Sequence, residues 1–288
     1  MEEKTVKGLV LEGGAMRGMF SAGVIDVFLE EGIEFDKMVG VSAGAAFGCN
    51  FKSKQLGRAI RYNTDYCKDK RYCSFWSLIF TGDMFGAEFC YHELPEKLDI
   101  FDTETFKNDK MDFFVVATDV ETGKPVYHKC TDGGFNDLEW IRASASMPLV
   151  SKIVEVDGKK LLDGGVSDSI PFEFMKEQGC KKNIVVLTQP RDYIKSKNKL
   201  MGLSKILLKR YPKLLDTMKR RHEIYNKQRL DLWEEEKKGN CLVICPGEKL
   251  PVRRIEHNAE RLKEAYNIGR EAAKGMLPQI RAFLEDDE

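Results

Sequence analysis

Short runs rich in Val, Ile and Leu alternate along this chain with longer segments of helical periodicity. Such runs are typical of strands that are buried on both faces of a sheet. Strands and helices in alternation favour a mostly parallel sheet with helices packed on both faces, which is an α/β architecture of three layers. The predicted strands are 6–11, 113–118, 184–188 and 241–245, and the predicted helices are 18–31, 172–178 and 258–273.

One pair of predicted strands departs from the parallel pattern. Residues 153–156 and 159–163 flank Asp157 and Gly158, a dipeptide that favours the tight turn of an antiparallel hairpin. The second strand of this hairpin ends on Asp163.

The segment 191–240 differs in character from the rest of the chain. Its first part, 191–230, contains thirteen Lys or Arg against three Asp or Glu, and the chain then returns to a strand and a helix over 241–280. We interpret 191–240 as a basic helical insertion within a single domain that spans 1–288.

Composition narrows the class of protein. Hydrophobic residues make up 42% of the 288 positions, enough for a substantial core. The 46 basic residues balance 46 acidic ones, so net charge gives no argument for a nucleic-acid partner. The start, MEEKTVKGLVLEGG, begins with acidic residues and lacks the basic start and longer apolar stretch of a secretory signal. No window reaches the ~20 apolar residues of a membrane-spanning helix. The eight cysteines form no C-x-x-C pair and are expected to be reduced thiols, which favours a cytoplasmic location.

A G-x-S-x-G motif occupies 40–44, with Ser42 at its centre. Residues 35–39 predict a short strand before it, and the small residues of 43–48 predict a helix packed closely against the sheet. This context fits a nucleophile elbow, in which a sharp turn pushes the serine hydroxyl out from the backbone. The motif taken alone is equally compatible with an ordinary glycine-rich turn.

A glycine-rich loop at 12–18, with the sequence EGGAMRG, lies between the first predicted strand and a helix. Ala15 stands where a dinucleotide fingerprint needs its third glycine, and Gly18 is not followed by the Lys and Ser or Thr of a Walker loop. A kinase-type loop lies between two strands. The remaining interpretation is a turn whose backbone N–H groups converge on one point and hold an oxyanion. For Arg17, a loop-bracing salt bridge and contact with a substrate phosphate both remain open.

None of the four histidines stands where a catalytic triad needs its base. A Ser-His-Asp triad requires a histidine on a loop after a late strand, whereas His222 lies in the basic segment and His257 just before the last helix. Asp163, at the end of the hairpin and followed by two glycines, is a different candidate. An aspartate beside Ser42 accepts the hydroxyl proton directly and forms a Ser-Asp dyad.

With these motifs in this order, the sequence resembles the patatin-like phospholipases. Members of that family carry a D-G-G-G-x-R-G loop, a G-x-S-x-G elbow and an aspartate followed by Gly-Gly or Gly-Ala. The resemblance covers about residues 6–190 and implies the patatin-like α/β/α fold. The segments that carry it are EGGAMRG at 12–18, GVSAG at 40–44, ASASMP at 143–148, DGG at 163–165 and SDSIP at 167–171.

The resemblance implies a mechanism as well as a fold. Asp163 takes the proton from Ser42, whose oxygen attacks an ester carbonyl. The N–H groups of Gly13, Gly14 and Ala15 hold the resulting oxyanion. The substrate is a lipid or another acyl ester, and neither a metal nor an organic cofactor is implied.

Two positions depart from the family pattern. Glu12 replaces the aspartate that opens the loop, and Ala15 replaces its third glycine. Alanine still offers an N–H, so we expect donation from Ala15 provided that its φ is not positive.

Two further regions bear on the substrate. The apolar cluster at 75–80, with Met84 and Phe85, fits either a lid or acyl-chain wall or ordinary core. Residues 199–221 interleave Lys and Arg with Leu, Ile and Met. That pattern suits peripheral contact with an anionic membrane, and it also suits a solvated helix whose apolar side packs on the domain.

The sequence therefore predicts a serine-dependent lipid acyl hydrolase of the phospholipase A or esterase type. Two alternatives stay open: a soluble short-chain esterase or thioesterase with the same site chemistry, and a catalytically silent scaffold associated with membranes. RNA binding is disfavoured because the basic segment has few aromatic side chains to stack on bases, and no nucleic-acid partner is expected.

Overall fold

A single central sheet organises the residues that the computed structural model describes, which are 5–74, 78 and 82–285. Its strands are β1 (Lys7–Leu11), β2 (Lys37–Val41), β3 (Asp112–Asp119), β4 (Pro125–Cys130), β5 (Val154–Val156), β6 (Lys159–Asp163), β7 (Lys182–Val186) and β8 (Cys241–Ile244). They follow the order β5–β6–β3–β2–β1–β7–β8, and β4 pairs with β3.

The middle of the sheet is parallel. β1 pairs with β2 on one side and with β7 on the other, and the β2–β3 and β7–β8 pairs are parallel as well. Along β1, Leu9 and Leu11 enter one apolar core while Val10 enters another, as the two-residue period of a strand requires. From β1 the chain continues to β2 on one side, and from β7 it continues to β8 on the other. Such a reversal opens a crevice at the carboxyl ends of the central strands, where α/β proteins bind ligands.

Helices cover both faces of the sheet. They are α1 (Met19–Glu30), α2 (Ala43–Lys52), α3 (Arg58–Tyr66), a π-helical segment (Phe89–Leu98), α4 (Thr103–Asn108), α5 (Phe135–Ala145), α6 (Phe172–Glu177), α7 (Met201–Leu207), α8 (Pro212–Lys237) and α9 (Ala259–Glu285). The apolar side chains of α1, α2 and α9 join the core of Leu9, and those of α6 and α8 join the core of Val10. This arrangement confirms the predicted three-layer α/β/α architecture.

Three strands share the two edges of β3. β2 pairs with residues 112–116 of β3, β6 with residues 117–119, and β4 with residues 113–118. Since a strand has only two edges, β4 occupies one of them, and β2 and β6 follow one another along the other. The predicted hairpin is present as β5 and β6. The sequence did not predict β4, because most of its side chains are only half-buried and form no apolar run.

Several boundaries differ from the sequence prediction. β2 continues two residues past the predicted end, because Gly40 still pairs with both β1 and β3 and Val41 pairs with β3. α9 continues to Glu285 through Pro278, held by the buried side chains of Ile280 and Leu284. The basic segment 191–240 contains two helices, α7 and α8, and a proline opens the second at a position where its missing N–H needs no partner.

The sequence also led us to expect no membrane-spanning helix and no disulfide bond. In the part of the chain that the structure describes, no helix has both the length and the hydropathy to cross a bilayer. All eight cysteines are free thiols, and Cys241 in β8 is a core residue.

Candidate active site

Ser42 stands in the turn between β2 and α2. Its backbone has φ +54° and ψ −119°, a conformation that costs an L residue about 1–3 kcal/mol and is found where the surrounding structure holds it in place. The turn packs closely on β1, because a Cβ on Gly44 would clash with the carbonyl oxygen of Leu11. The Ser42 N–H donates to Ser144 Oγ at 2.8 Å. This strained turn is the geometry of a nucleophile elbow.

Asp163 is the hydrogen-bond partner of the Ser42 hydroxyl. Its Oδ2 accepts from Ser42 Oγ at 2.7 Å, and its Oδ1 accepts from the Gly165 N–H at 2.7 Å. Burial raises the pKa of the Asp163 carboxyl, while Arg221, the Ser42 hydroxyl and the Gly165 N–H limit the rise. A raised pKa makes the carboxylate a better proton acceptor than an exposed aspartate.

The register of β3 brings the two residues together. Val41, which precedes Ser42, pairs with Val116, and Asp163 pairs with Ala117, the next residue of β3. Side chains that are 121 positions apart in sequence therefore meet, because their strands end side by side on one edge of β3.

The four histidines have their partners elsewhere. The rings of His222 and His257 lie against backbone carbonyl oxygens, and those of His92 and His128 lie against carboxylates. Within the described residues, none of these contacts involves Ser42. In this part of the chain the Ser42 hydroxyl has a carboxylate, not an imidazole, as its hydrogen-bond partner.

The glycine loop lies directly beside Ser42. A Cβ on Gly13 would lie 2.8 Å from the Cβ of Ser42, so this approach requires glycine. The N–H groups of Gly13, Gly14 and Ala15 have no hydrogen-bond acceptor in the described part of the chain, whereas the next N–H, that of Met16, is paired. Unpaired backbone donors are rare in folded proteins, and several in succession provide what a developing oxyanion needs.

An apolar cavity begins at Ser42 and runs between α2, α3, α5 and the π-helical segment. Its mouth is open to solvent, and the space that it offers to the centres of water-sized atoms is about 100 Å³. A concave site with apolar walls and few polar groups is suited to an acyl chain. Its aromatic and aliphatic lining includes Phe47, Tyr62, Tyr72, Phe85, Leu94 and Ile141.

The apolar cluster predicted at 75–85 falls only partly on this wall. Phe85 lines the cavity, and Met84 is buried in the same apolar core as Leu9 of β1. Residues 75–77 and 79–81 lie outside the described residues. The choice between lid and core for those residues stays a prediction.

Comparison with known proteins assigns the family. A family model described as "Patatin-like phospholipase" matches residues 9–176, a stretch that contains the glycine loop, Ser42 and Asp163. The chain belongs to the patatin-like phospholipase family. A second model, described as a domain of unknown function, matches residues 211–285, from the start of α8 to the end of α9.

Individual relatives are 24–29% identical to this chain over the residues that align with it. The uncharacterized protein YjjU of Escherichia coli K12 is 26% identical over 96% of this chain and 79% of its own length. A putative patatin-like phospholipase domain-containing protein of Caenorhabditis elegans is 24% identical, and lysophospholipase NTE1 of Meyerozyma guilliermondii is 29% identical. Both matches cover 62% of this chain, but it spans only 16% and 12% of those two proteins. The match to the crystal structure of VipD from Legionella pneumophila covers 96% of this chain and 68% of the VipD chain, with a TM-score of 0.48 and 12% identity.

Glu12, where the patatin-like family has aspartate, is buried and bound at both carboxylate oxygens. Oε2 accepts from the Thr188 N–H at 2.6 Å and from its hydroxyl at 3.1 Å. Oε1 accepts from the Tyr225 hydroxyl at 2.6 Å. Because glutamate is one methylene longer than aspartate, its carboxylate spans from the end of β7 to α8.

Ala15, the second departure from the family pattern, has φ +49°. The left-handed conformation costs an alanine about 1–2 kcal/mol. The expectation that Ala15 has no positive φ is therefore wrong. Its N–H is nevertheless unpaired in the described part of the chain, so donation from Ala15 stays a prediction, beside that of Gly13 and Gly14.

Arg17 lies half-buried at the end of the glycine loop. It forms no ion pair within the described residues, and its Nε is buried without a hydrogen-bond partner there. Burial lowers the pKa of the guanidinium, Glu12 opposes that shift, and Arg254 adds to it. The loop-bracing salt bridge is thus missing from the described part of the chain, and contact with a substrate stays a proposal.

The described residues bring together one cluster of metal-ligating side chains, whose ligand atoms lie within 4.8 Å of one another: His128, Cys130 and Asp137. Oδ2 of Asp137 already accepts three backbone N–H bonds from the loop before α5, and Oδ1 lies 2.8 Å from His128 Nε2. Burial holds the pKa of the Cys130 thiol well above its usual range. With the carboxylate bound and the thiol protonated, the cluster ties the loop to β4.

Sequence reasoning missed several side chains around the dyad. Ser144 lies in the ASASMP segment quoted for the family resemblance, but its contact with the Ser42 backbone was not foreseen. Arg221, Tyr225 and Gln228 of α8 contact the site loops, whereas the sequence had placed Arg221 only in the basic pattern of 199–221. Their spacing, four and then three residues, places three polar side chains on one helix face. That spacing is the signal available from sequence.

Proposed function

We propose that this protein is a serine-dependent lipid acyl hydrolase of the phospholipase A or esterase type. The observation that carries the proposal is the 2.7 Å hydrogen bond from Ser42 Oγ to Asp163 Oδ2, beside three unpaired N–H groups of the glycine loop. Asp163 takes the Ser42 proton as Oγ bonds to the ester carbonyl carbon. The loop N–H groups of Gly13 and Gly14 stabilise the oxyanion.

The second half of the reaction uses the same groups. The tetrahedral intermediate expels the alcohol, which takes the proton held by Asp163, and an acyl-serine remains. Asp163 then takes a proton from water as the water oxygen attacks the acyl carbon. Collapse of the second intermediate returns the proton to Ser42 and releases the carboxylic acid. We propose that Arg17, which has no ion pair in the described residues, contacts an anionic group of the substrate.

The apolar cavity supports a lipid rather than a short-chain substrate. Cys49, on the cavity wall, lies two turns beyond Ser42 on α2, about 10 Å away at 1.5 Å per residue. Only the distal part of an acyl chain reaches that far. Each methylene transferred from water to such a wall contributes about 0.8 kcal/mol.

Acyl-chain selectivity tests this proposal. We expect the wild type to hydrolyse p-nitrophenyl laurate with a kcat/KM at least about tenfold above that for the butyrate, because the longer chain buries more methylenes. Cys49→Phe should remove this preference and leave butyrate hydrolysis nearly unchanged, while Cys49→Ala serves as a control that does not narrow the cavity. A wild type that prefers butyrate and does not respond to Cys49→Phe would favour the short-chain esterase or thioesterase.

A second proposal concerns the membrane. Within 199–221, Leu214 and Met218 of α8 pack in the core, as expected for a helix lying on the domain. α7 differs, because Leu203 is 46% and Ile206 69% exposed beside exposed lysines. We propose that α7 contacts an anionic bilayer, to which Lys205 and the flanking Lys199 and Lys209 are complementary in charge and into which the apolar side chains of α7 insert.

Vesicle co-sedimentation tests the membrane proposal. We expect Leu203→Ser/Ile206→Ser to bind phosphatidylglycerol vesicles at least about tenfold more weakly than the wild type, because two exposed aliphatic side chains can no longer insert into the bilayer. Leu230→Ser is the matched control, since Leu230 is 66% exposed on α8 outside this segment. Equal binding by the double variant and the wild type would contradict a role for α7.

A further inference from the structure

One face of α8 points three polar side chains at three loops of the candidate site. Arg221, Tyr225 and Gln228 are spaced by four and three residues, so they lie above one another on the helix. α8 belongs to the part of the chain matched by a domain of unknown function, not to the part matched by the patatin-like model. The contacts therefore join two separately recognised regions of the chain.

Arg221 contacts the loop that holds the base. Its Nε donates to the Gly165 carbonyl oxygen at 2.5 Å, and the N–H of the same Gly165 donates to Asp163 Oδ1 at 2.7 Å. One residue of the loop thus connects the guanidinium to the carboxylate. The positive charge also lies close enough to act on Asp163 directly.

Tyr225 contacts the glycine loop. It is 1% exposed, and its hydroxyl donates to Glu12 Oε1 at 2.6 Å, while Glu12 Oε2 accepts from the Thr188 N–H. Glu12 directly precedes Gly13 and Gly14, so fixing its side chain between α8 and β7 fixes the start of the loop. Lys195 Nζ lies 4.0 Å from the centre of the Tyr225 ring and covers it.

Gln228 contacts the segment that follows the base. Its Nε2 donates to Asp168 Oδ1 at 2.5 Å and to the Ile170 carbonyl oxygen at 3.2 Å. Asp168 Oδ2 accepts from the Tyr127 hydroxyl at 2.7 Å. Asp168 is in this way a link between α8 and β4 and does not contact Ser42.

We infer that α8 positions the catalytic loops, with Arg221 and Tyr225 as positioning residues for Asp163 and for the oxyanion loop respectively. This inference rests on the proposed function for its catalytic meaning, although the contacts can be tested without activity. Through α8, the 211–285 region would hold in place the loops that carry Asp163 and the oxyanion N–H groups in the patatin-like region. Neither Arg221 nor Tyr225 is assigned to touch the substrate.

The role of Arg221 can be measured through the pKa of the Asp163 carboxyl, which the positive charge of Arg221 lowers. Burial raises the pKa of this carboxyl, and two cations oppose the rise, Arg221 from α8 and, more weakly, Arg254 from the loop before α9. The Ser42 hydroxyl and the Gly165 N–H also favour the charged form. Removal of Arg221 takes away the largest opposing contribution, so the pKa of Asp163 rises further and less carboxylate is available at a given pH.

Titration of Asp163 by NMR on aspartate-labelled protein tests this step without requiring activity. The Asp163 carboxyl signal is assigned by its absence in Asp163→Asn. We expect Arg221→Gln to move the titration midpoint upward, and Arg221→Lys, which keeps the charge, to leave it near the wild-type value. Lys227→Gln is the matched control, because Lys227 lies on the same helix and is 75% exposed. An unchanged midpoint in folded Arg221→Gln would overturn the inference for Arg221.

Fluorophosphonate labelling tests the second contact. Tyr225→Phe deletes only the hydroxyl that holds Glu12, and we expect Ser42 to be labelled about tenfold more slowly because the oxyanion loop is less well placed. The pH midpoint of labelling should not move. Tyr66→Phe is the control, since the Tyr66 ring packs on Phe89 and does not line the cavity. Wild-type labelling rates in folded Tyr225→Phe would contradict the inference for the loop.

The two experiments separate this inference from the proposed function. If the wild type is not labelled at all, the proposed function fails, while the NMR titration of Asp163 still decides whether Arg221 sets its charge. If Arg221→Gln does not fold, Tyr225→Phe decides the positioning role of α8. Normal labelling of the wild type together with unaffected Arg221 and Tyr225 variants would refute the positioning role and leave the hydrolase intact.

Discussion

Replacing Ser42 by alanine is expected to lower p-nitrophenyl ester hydrolysis by at least about four orders of magnitude and to abolish fluorophosphonate labelling. The substitution removes the hydroxyl oxygen that is proposed to attack the ester. In a serine hydrolase, loss of the catalytic serine alone lowers kcat about as much as loss of all the catalytic residues together. The fold should survive, because the Ser42 N–H keeps its bond to Ser144 Oγ and alanine fits the same turn. Rates measured on purified protein with matched circular dichroism spectra check both statements.

The control for Ser42→Ala is another buried serine. Ser21 in α1 is 1% exposed and its hydroxyl has no hydrogen-bond partner within the described residues, so Ser21→Ala should change neither labelling nor hydrolysis. Retained turnover in Ser42→Ala would exclude Ser42 as the nucleophile. A wild type that resists the probe would favour the catalytically silent scaffold.

Local signals predicted those parts of the site that depend on local geometry. Asp157 and Gly158 both have positive φ, at +49° and +71°, as the predicted tight hairpin requires. Glycines at 40 and 44 marked the turn at Ser42, since a Cβ on Gly40 would clash with the first turn of α2 and a Cβ on Gly44 would clash with Leu11 of β1. In each case the residue type reflects a constraint on the backbone of its own turn. Such a constraint can be recognised from a few neighbouring residues of a single sequence.

Contacts between distant segments had no such signal. Tyr225 binds Glu12 across 213 positions, and nothing in either neighbourhood shows that the two meet. The positive φ of Ala15 could not be expected either, because tertiary packing imposes on alanine a conformation that its own preferences disfavour. Residues 199–221 were ambiguous for a related reason: Leu214 and Met218 are buried on α8, whereas Leu203 and Ile206 are exposed on α7. Helical periodicity alone does not distinguish the two cases.

The second large effect is expected for Asp163→Asn, with a loss of about three to four orders of magnitude in kcat. The amide keeps the shape of the side chain, and its oxygen can still accept the Gly165 N–H bond, but it is not basic enough to take the Ser42 proton. Asp216→Asn, at a side chain 65% exposed on α8, is the matched control and should retain full activity. Near-normal turnover in Asp163→Asn would mean that another group serves as the base.

The same substitution is expected to stabilise the protein at neutral pH. Because burial raises the pKa of the Asp163 carboxyl in the folded state, folding favours its protonated form. The native protein therefore loses stability as pH rises from about 4, where an unfolded aspartate ionises, through the raised folded pKa. Asparagine carries no charge and avoids that loss.

The Tm of Asp163→Asn should then exceed that of the wild type at pH 7, and the difference should shrink towards about pH 3, where the wild-type carboxyl is neutral in both states. Differential scanning calorimetry across this range measures it, and a lower Tm at pH 7 would show that the ionised carboxylate contributes more through its hydrogen bonds than its burial costs. A rise in Tm together with the loss of turnover would mean that Asp163 is kept for its chemistry at the expense of stability.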